Sequence, residues 1–258
     1  MAADLNIAVR RLLEAGIENA GNEARWLGEN ADDSEFASRI ERRIKGEPLQ
    51  YILGTVPFHD IQLYVGRGVL IPRPETEQLV ELALSLSIPD GPICDLCTGS
   101  GAIALAMASK LRHVSITGVD ISPEALAWAQ RNKNALKLDN ISFLEGDLYE
   151  PLPENEKYAL ISANPPYVTS KEYDELERVV KDYEPKLALE AGDDGLSVIR
   201  RIVAGAKRHL LPGGTLIMEI GENQGDAVND ILVKERLDAE IKTDYSGRQR
   251  FALAWHRK

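Results

Sequence analysis

Along residues 1–55 the apolar positions recur at helical spacing. Leu5, Val9, Leu12 and Leu13 share one helix face, and Gly16 supplies a stop. Ala24, Trp26 and Leu27 predict a second helix. Ser34, followed by Phe36, Ile40 and Ile44, opens a third, which ends at Gly46 before Pro48. Strand-like alternation begins only at 58–65, where Phe58, Ile61, Leu63 and Val65 line one face of a hairpin-like connector. From about residue 76, apolar segments at 93–96, 115–119, 141–145, 160–163 and 215–220 alternate with helical stretches at 102–110, 124–136 and 196–210. That alternation predicts an α/β fold, a parallel sheet with helices on both faces. Segments 239–243 and 250–255 are separated only by Tyr245-Ser246-Gly247, so the final strand returns antiparallel. Leu211-Pro212-Gly213-Gly214 reads as a turn between helix and strand. A sheet of this kind binds ligands beyond the carboxyl ends of its strands, where strand order reverses.

The composition, 44% hydrophobic and 28% charged over 258 residues, is that of a globular enzyme and excludes bulk disorder. No apolar run approaches the ~20 residues of a membrane span, and the opening residues lack the basic, apolar and cleavage regions of a secretory leader. Cys94 and Cys97 make no disulfide framework and have no second Cys/His pair to hold zinc, so they read as small apolar residues of a reducing cytoplasm. A net charge of −11 leaves no basic stripe to displace phosphate counterions, which argues against direct DNA binding. The nearest cluster, Arg39, Arg42, Arg43 and Lys45, has the spacing of a solvated helix face, and complementary charge on a partner would be steered to it. His59, His113, His209 and His256 are scattered, so no metal site is expected. Asp193-Asp194-Gly195 reads as an acidic cap on the helix that follows.

The first strand of the α/β region ends in Asp95-Leu96-Cys97-Thr98-Gly99-Ser100-Gly101, with a helix immediately after. Glycines here let the backbone turn tightly and approach a ligand that a Cβ would block. Gly99-x-Gly101-x-x-Ala104 satisfies the dinucleotide pattern, and Asp120 closes the second strand, where a carboxylate accepts hydrogen bonds from both ribose hydroxyls. A pyrophosphate would sit on the helix N-terminus. Asp95 places negative charge near that point, which suits the amino group of a cationic ligand such as S-adenosyl-L-methionine better than a diphosphate.

The fourth of these strands ends in Asn164-Pro165-Pro166-Tyr167. Two prolines remove two donors and fix φ, so the strand stops and the preceding residues stay extended. An amide or aminopurine nitrogen is a poor nucleophile because its lone pair is conjugated. If its two N–H groups donate to the Asn164 side-chain oxygen and the Pro165 carbonyl, it is oriented and its developing positive charge is stabilised. The Tyr167 ring covers the flat group and excludes water, and proximity supplies much of the rate.

This tetrapeptide belongs to amino methyltransferases, and nearly the whole chain resembles the peptide chain release factor N5-glutamine methyltransferases (the PrmC/HemK family). The resemblance runs through Arg42-Arg43, Gly46-Glu47-Pro48, Tyr51-Ile52-x-Gly54 and the very specific stretch from Leu70 through Pro72-Arg73-Pro74-Glu75-Thr76 to Glu77. It continues through the Asp95–Gly101 loop, Val119-Asp120 and Gly146-Asp147. It closes with Asn164–Tyr167, Glu184-Pro185, Asp194-Gly195, Glu219-Ile220-Gly221 and Gly247-Arg248. It implies a Rossmann-like seven-stranded methyltransferase sheet (76–258), a small helical substrate-recognition domain (1–55) and a hairpin-like connector (56–75).

The resemblance also implies that Cys97, Thr98, Gly99, Ser100 and Gly101 wrap the methionine part of S-adenosyl-L-methionine, with Asp95 near its amino group. Asp120 would bind the ribose, Asp147 and Leu148 would border the adenine, and the product would be S-adenosyl-L-homocysteine. Asn164, Pro165, Pro166 and Tyr167 would hold the glutamine of the Gly-Gly-Gln tip of class I release factors, and the 72–77 stretch would line the pocket beside the cofactor, with Pro74 and Glu75 on the substrate. Cys97 stands where the family commonly has glycine, and Leu148 where it often has an aromatic residue. An adenine-N6 methyltransferase shares the tetrapeptide but is disfavoured by the negative charge. An NAD-dependent oxidoreductase would lack an acid/base candidate beyond the sheet and leave Asn164–Tyr167 without a role, and a non-catalytic nucleoside-binding module would bind cofactor without turnover.

Overall fold

The computed structural model describes residues 2–256. Four helices open the chain: α1 (Ala2–Glu14), α2 (Ala20–Gly28), α3 (Asp33–Ile44) and α4 (Leu49–Leu53). They enclose a hydrophobic cluster of their own, built on Leu12, Leu27, Ile40 and Ile52. Helix α3 starts ahead of the expected Ser34, because the Asp32 side chain accepts from the Glu35 N–H and caps the first turn. Helix α4 was not legible from spacing; it is a single turn after Pro48 that ends at Gly54, φ 75°.

A hairpin of β1 (Thr55–Phe58) and β2 (Ile61–Tyr64) follows, with Phe58, Leu63 and Val65 buried as the alternation predicts. Next comes α5 (Pro74–Ser85), with proline in its first turn, where a missing N–H costs nothing. The remaining elements are β3 (Ile93–Leu96), α6 (Ala102–Lys110), β4 (Ile116–Asp120), α7 (Pro123–Leu136), β5 (Ile141–Glu145), β6 (Tyr158–Ala163), α8 (Ser170–Glu175), α9 (Arg178–Lys181), α10 (Ser197–His209), β7 (Leu210–Glu219), α11 (Gly225–Lys234), β8 (Leu237–Thr243) and β9 (Gln249–His256). The side chain of His256 lies outside the described residues.

Strands β3 to β9 form one seven-stranded sheet in the order β5-β4-β3-β6-β7-β9-β8, with β9 antiparallel to both of its neighbours. The expected turn at 211–214 is instead a bulge inside β7. Tyr158 pairs with Leu210 and Leu160 with Thr215, so the intervening residues loop out of the ladder at Gly213, φ 80°.

Side chains alternate across the sheet and sort the core into two faces. Ile93, Leu160, Ile217 and Phe251 face α5 and α6, while Cys94, Ile161, Met218 and Ala252 face α10 and α11. Chain order reverses between β3 and β6, which lie side by side in parallel with Leu96 opposite Ala163. Residues 97 and 164 therefore leave the sheet next to each other, at the point where this fold binds ligands.

Candidate active site

The β3 exit loop owes its shape to residues with positive φ: Cys97 at 56°, Gly99 at 57° and Gly101 at 82°. A Cβ on Gly101 would lie 2.8 Å from a Leu105 methyl, so the position is closed by sterics as well as by conformation. Cys97 adopts this conformation while carrying a Cβ, which places a non-glycine residue in a left-handed backbone at the floor of the site.

Two carboxylates hold the loop, Asp95 fully buried beneath it and Asp120 half-buried beside it. Asp95 accepts from the Thr98 hydroxyl (2.6 Å) and from the Ser162 hydroxyl (2.7 Å) on the adjoining strand. Complete burial pushes its carboxyl up to about 7, against those two hydrogen bonds, which pull it down. Asp120 accepts from the Gly99 N–H (2.7 Å) with one oxygen and from the Ser122 N–H (2.9 Å) with the other. Burial raises the Asp120 carboxyl above its ordinary range, and the backbone N–H groups oppose the shift.

The β6 exit loop is fixed through its side chains. The Asn164 amide nitrogen donates to the Thr76 hydroxyl (3.1 Å), which donates to Glu219 Oε2 (2.7 Å). The Tyr167 hydroxyl donates to Glu219 Oε1 (3.1 Å), and the Tyr167 carbonyl accepts from Gln224 Nε2 (2.9 Å). A Cβ on Gly195, φ 68°, would lie 2.3 Å from that carbonyl oxygen, so glycine there lets the neighbouring loop close against the tetrapeptide. Burial pushes both the Glu219 carboxyl and the Tyr167 hydroxyl up.

Two cavities meet over these loops. The larger, ≈ 190 Å³, is lined by Cys97, Thr98, Gly99, Ser100, Asp120, Asp147, Leu148, Asn164 and Pro166 of the predicted residues. The smaller, ≈ 40 Å³, is lined by Asn164, Pro165 and Tyr167 together with Arg73 and Glu219. Asn164 stands at the junction, and among the described residues no group donates to its Oδ1 or to the Pro165 carbonyl. The larger cavity is mostly apolar, its polar lining including Asp120, Ser122 and Asp147, the last paired with Arg201 (2.8 Å).

Four sets of residues singled out from the sequence lie outside both cavities. Asp95 is wholly buried, lines neither cavity and bonds to the Thr98 and Ser162 hydroxyls. Gly101 turns the chain into α6 beneath the surface and does not line the cavity. Pro74 and Glu75 also miss both cavities, because the first turn of α5 aims Thr76 inward, along with Pro72 and Arg73 just before it. The basic cluster on α3 is largely neutralised within the chain, by Arg39–Glu35 (2.7 Å), Arg42–Glu47 (2.6 Å) and Arg43–Glu23 (2.6 Å).

The acidic cap expected at 193–195 is not formed: Leu196 is the N-cap of α10 without a side-chain cap bond, and the Asp194 carboxylate instead accepts from the Leu196 N–H (3.1 Å) and pairs with Arg200 (2.5 Å). Pro72 and Thr76 line the larger cavity, as expected of the 72–77 stretch, whereas Glu219 stands in the sequence only within a family stretch, without a role. The readable signal was a carboxylate at the end of the apolar run 215–218, because a buried charge needs partners.

The Methyltransferase small domain family matches residues 76–190. The release factor glutamine methyltransferase of Thermodesulfovibrio yellowstonii is 44% identical over 84% of this chain and 79% of its own length. That of Streptomyces coelicolor is 36% identical over 98% and 97%. Among solved structures, a methyltransferase from Pyrococcus furiosus is similar at TM-score 0.56 and 17% identity, over 87% of this chain and all of that one. A Thermus thermophilus 16S rRNA methyltransferase is similar at TM-score 0.54 and 17% identity, over 79% and 50%, and these two likenesses speak to the fold. With relatives of this identity aligned along nearly its full length, and a Rossmann-like sheet that brings the two loops together, the chain belongs to the release factor glutamine methyltransferases, S-adenosyl-L-methionine-dependent enzymes.

Proposed function

We propose that this chain moves a methyl group from S-adenosyl-L-methionine to the side-chain amide nitrogen of the glutamine in the Gly-Gly-Gln tip of class I release factors. The observation that carries the reading is Asn164 at the junction of two cavities, its amide N–H turned away to Thr76 and its oxygen left as an acceptor beside the Pro165 carbonyl. The larger cavity fits the cofactor: a close backbone approach at Gly99, a carboxylate with lone pairs to spare at Asp120, and an apolar wall including Leu148. When bound, the cofactor supplies an electrophilic methyl carbon.

The remaining work falls to this chain. Asn164 Oδ1 and the Pro165 carbonyl accept the two amide N–H groups, hold the nitrogen in one orientation and stabilise the positive charge that develops on it. The proline ring fixes its own φ, so that acceptor is set before substrate arrives. The Tyr167 ring, anchored through its hydroxyl to Glu219, walls the smaller cavity and keeps water from the amide.

Residues 1–55 serve as the element that engages the protein substrate, 56–75 as the connector and 76–258 as the catalytic unit. Their separate hydrophobic cluster supports this division. So does the attachment of their last helix to the site's rim, where the Tyr51 hydroxyl donates to the Val69 carbonyl; the connector in turn is tied to the catalytic unit by Glu184, which accepts from the Ile71 N–H (3.0 Å) and from Arg73 (2.5 Å). Among the described residues no helix is long and apolar enough to cross a membrane, and we place the enzyme beside translation in the cytoplasm. Incubation of the chain, S-adenosyl-L-methionine and a purified release factor tests the proposal. Peptide mass spectrometry is expected to show one added methylene on the Gly-Gly-Gln glutamine; an unmodified glutamine overturns it.

A further inference from the structure

Glu219 is 1% exposed at the end of a central strand, and it touches neither the larger cavity nor the predicted cofactor residues. Arg250, whose charge favours its ionised form, is directed to Asp244 (3.6 Å) instead. A carboxylate so placed is costly to bury, and its only hydrogen-bond partners among the described residues are two hydroxyls that lead to the tetrapeptide. We propose that Glu219 is a positioning residue that acts through Thr76 to set which end of the Asn164 amide faces the reacting nitrogen. This rests on the methyl-transfer reading above.

The argument is one of donor direction. The two hydroxyls that meet the two oxygens of Glu219, and the Arg250 charge, oppose the upward push of burial and favour its ionised form. An ionised carboxylate only accepts hydrogen bonds. Both hydroxyl protons, from Thr76 at 2.7 Å and Tyr167 at 3.1 Å, therefore point at Glu219. Thr76 Oγ1 then has only lone pairs to offer Asn164, which meets it with Nδ2 at 3.1 Å. The reversed amide would set Asn164 Oδ1 against those lone pairs with no proton between them. The acceptor-only character of Glu219 thus passes along two hydrogen bonds and leaves Asn164 Oδ1 for the substrate. Register makes the relay possible: Ile217 and Glu219 share the sheet face covered by α5, which presents Thr76.

Glu219→Gln keeps the shape but introduces an N–H2 group. Where it donates to Thr76, the hydroxyl turns toward Asn164 and the amide flips. Steady-state kinetics on a release factor are expected to show kcat lowered about a hundredfold, the scale of a lost acceptor at the transition state, with cofactor Kd from calorimetry unchanged. Thr76→Val, which leaves the buried carboxylate in place, is expected to lose as much. Thr76→Ser is expected to recover most of that loss, and the Thr76→Val, Glu219→Gln double variant to lose no more than either alone. Wild-type kcat in Glu219→Gln, or Thr76→Ser as impaired as Thr76→Val, overturns the relay. Absence of transfer by the wild-type chain overturns the underlying function instead, so the two failures are distinct.

Discussion

The loops that meet at the reversal point of the sheet reach their shapes by opposite means. The 97–101 loop relies on conformational freedom: three of its five residues have positive φ, and it is held by half-buried Asp120 at the Gly99 N–H and by buried Asp95 at the Thr98 hydroxyl. The 164–167 loop relies on stiffness: two prolines fix the backbone, the Asn164 and Tyr167 side chains bond to Thr76 and Glu219, and the Tyr167 carbonyl accepts from Gln224. The difference follows from what each must do. A loop that wraps a cofactor needs backbone close to the ligand, and only glycine-like conformations allow it. A clamp that orients one nitrogen needs two acceptors at fixed positions, and rigidity supplies them before binding.

If this division is correct, changes in the two loops separate kinetically. The largest effect falls on the stiff loop. Asn164→Ala is expected to lower kcat about 10²–10³-fold with cofactor affinity nearly intact; equal losses in kcat and cofactor affinity would break the comparison. In the flexible loop, Asp120→Ala is expected to weaken cofactor binding by about 1.5–3 kcal/mol, roughly ten- to a hundredfold in Kd. Unchanged calorimetric affinity would remove Asp120 from the cofactor site.

A third test concerns the carboxylate beneath that loop. The native state holds a proton on Asp95 up to about 7, whereas the unfolded chain releases it near 3.8. Asp95 therefore makes stability fall as pH rises between those values, with the loss complete above the upper one. Asp95→Asn, which can still donate to one hydroxyl and accept from the other, is expected to remove this slope in urea titrations run across the window. A slope identical to wild type would mean that Asp95 is ionised throughout.

The smallest effect sharpens the role of Cys97. Cys97→Gly and Cys97→Ala both lose the thiol, but only alanine keeps a Cβ at φ 56°. The glycine variant is expected to be the more stable by about 1 kcal/mol, a difference of roughly 2–4 °C in melting temperature. Coincident melting curves would show that the left-handed backbone carries no strain there.

Much of the architecture was legible because periodicity is local. The alternation of apolar strands and amphipathic helices, the antiparallel final strand and the position of both loops follow from residues read in order. Short elements were missed where neighbours rather than spacing decide, as at α4, a single turn set by Pro48 and Gly54. Element boundaries also depended on particular side chains, such as Asp32 capping α3 ahead of Ser34. The bulge at 211–214 looked like a turn because Pro212 and Gly213 give the same local signal in either setting.

The sequence by itself determined the fold class, the two loops and their residue types, because backbone freedom at glycine and rigidity at proline are properties of single residues. Only the tertiary structure decided which carboxylates face a ligand and which brace the loops. Asp95 and Asp120 each close a neighbouring strand in the sequence, yet Asp95 is sealed against Ser162 while Asp120 borders the cavity. It likewise joined Thr76, Asn164 and Glu219, which lie far apart in the chain, into one hydrogen-bonded unit. The physical reason is that hydrogen bonds act over about 3 Å, and proximity at that scale exists only after the sheet has brought distant strands and α5 together.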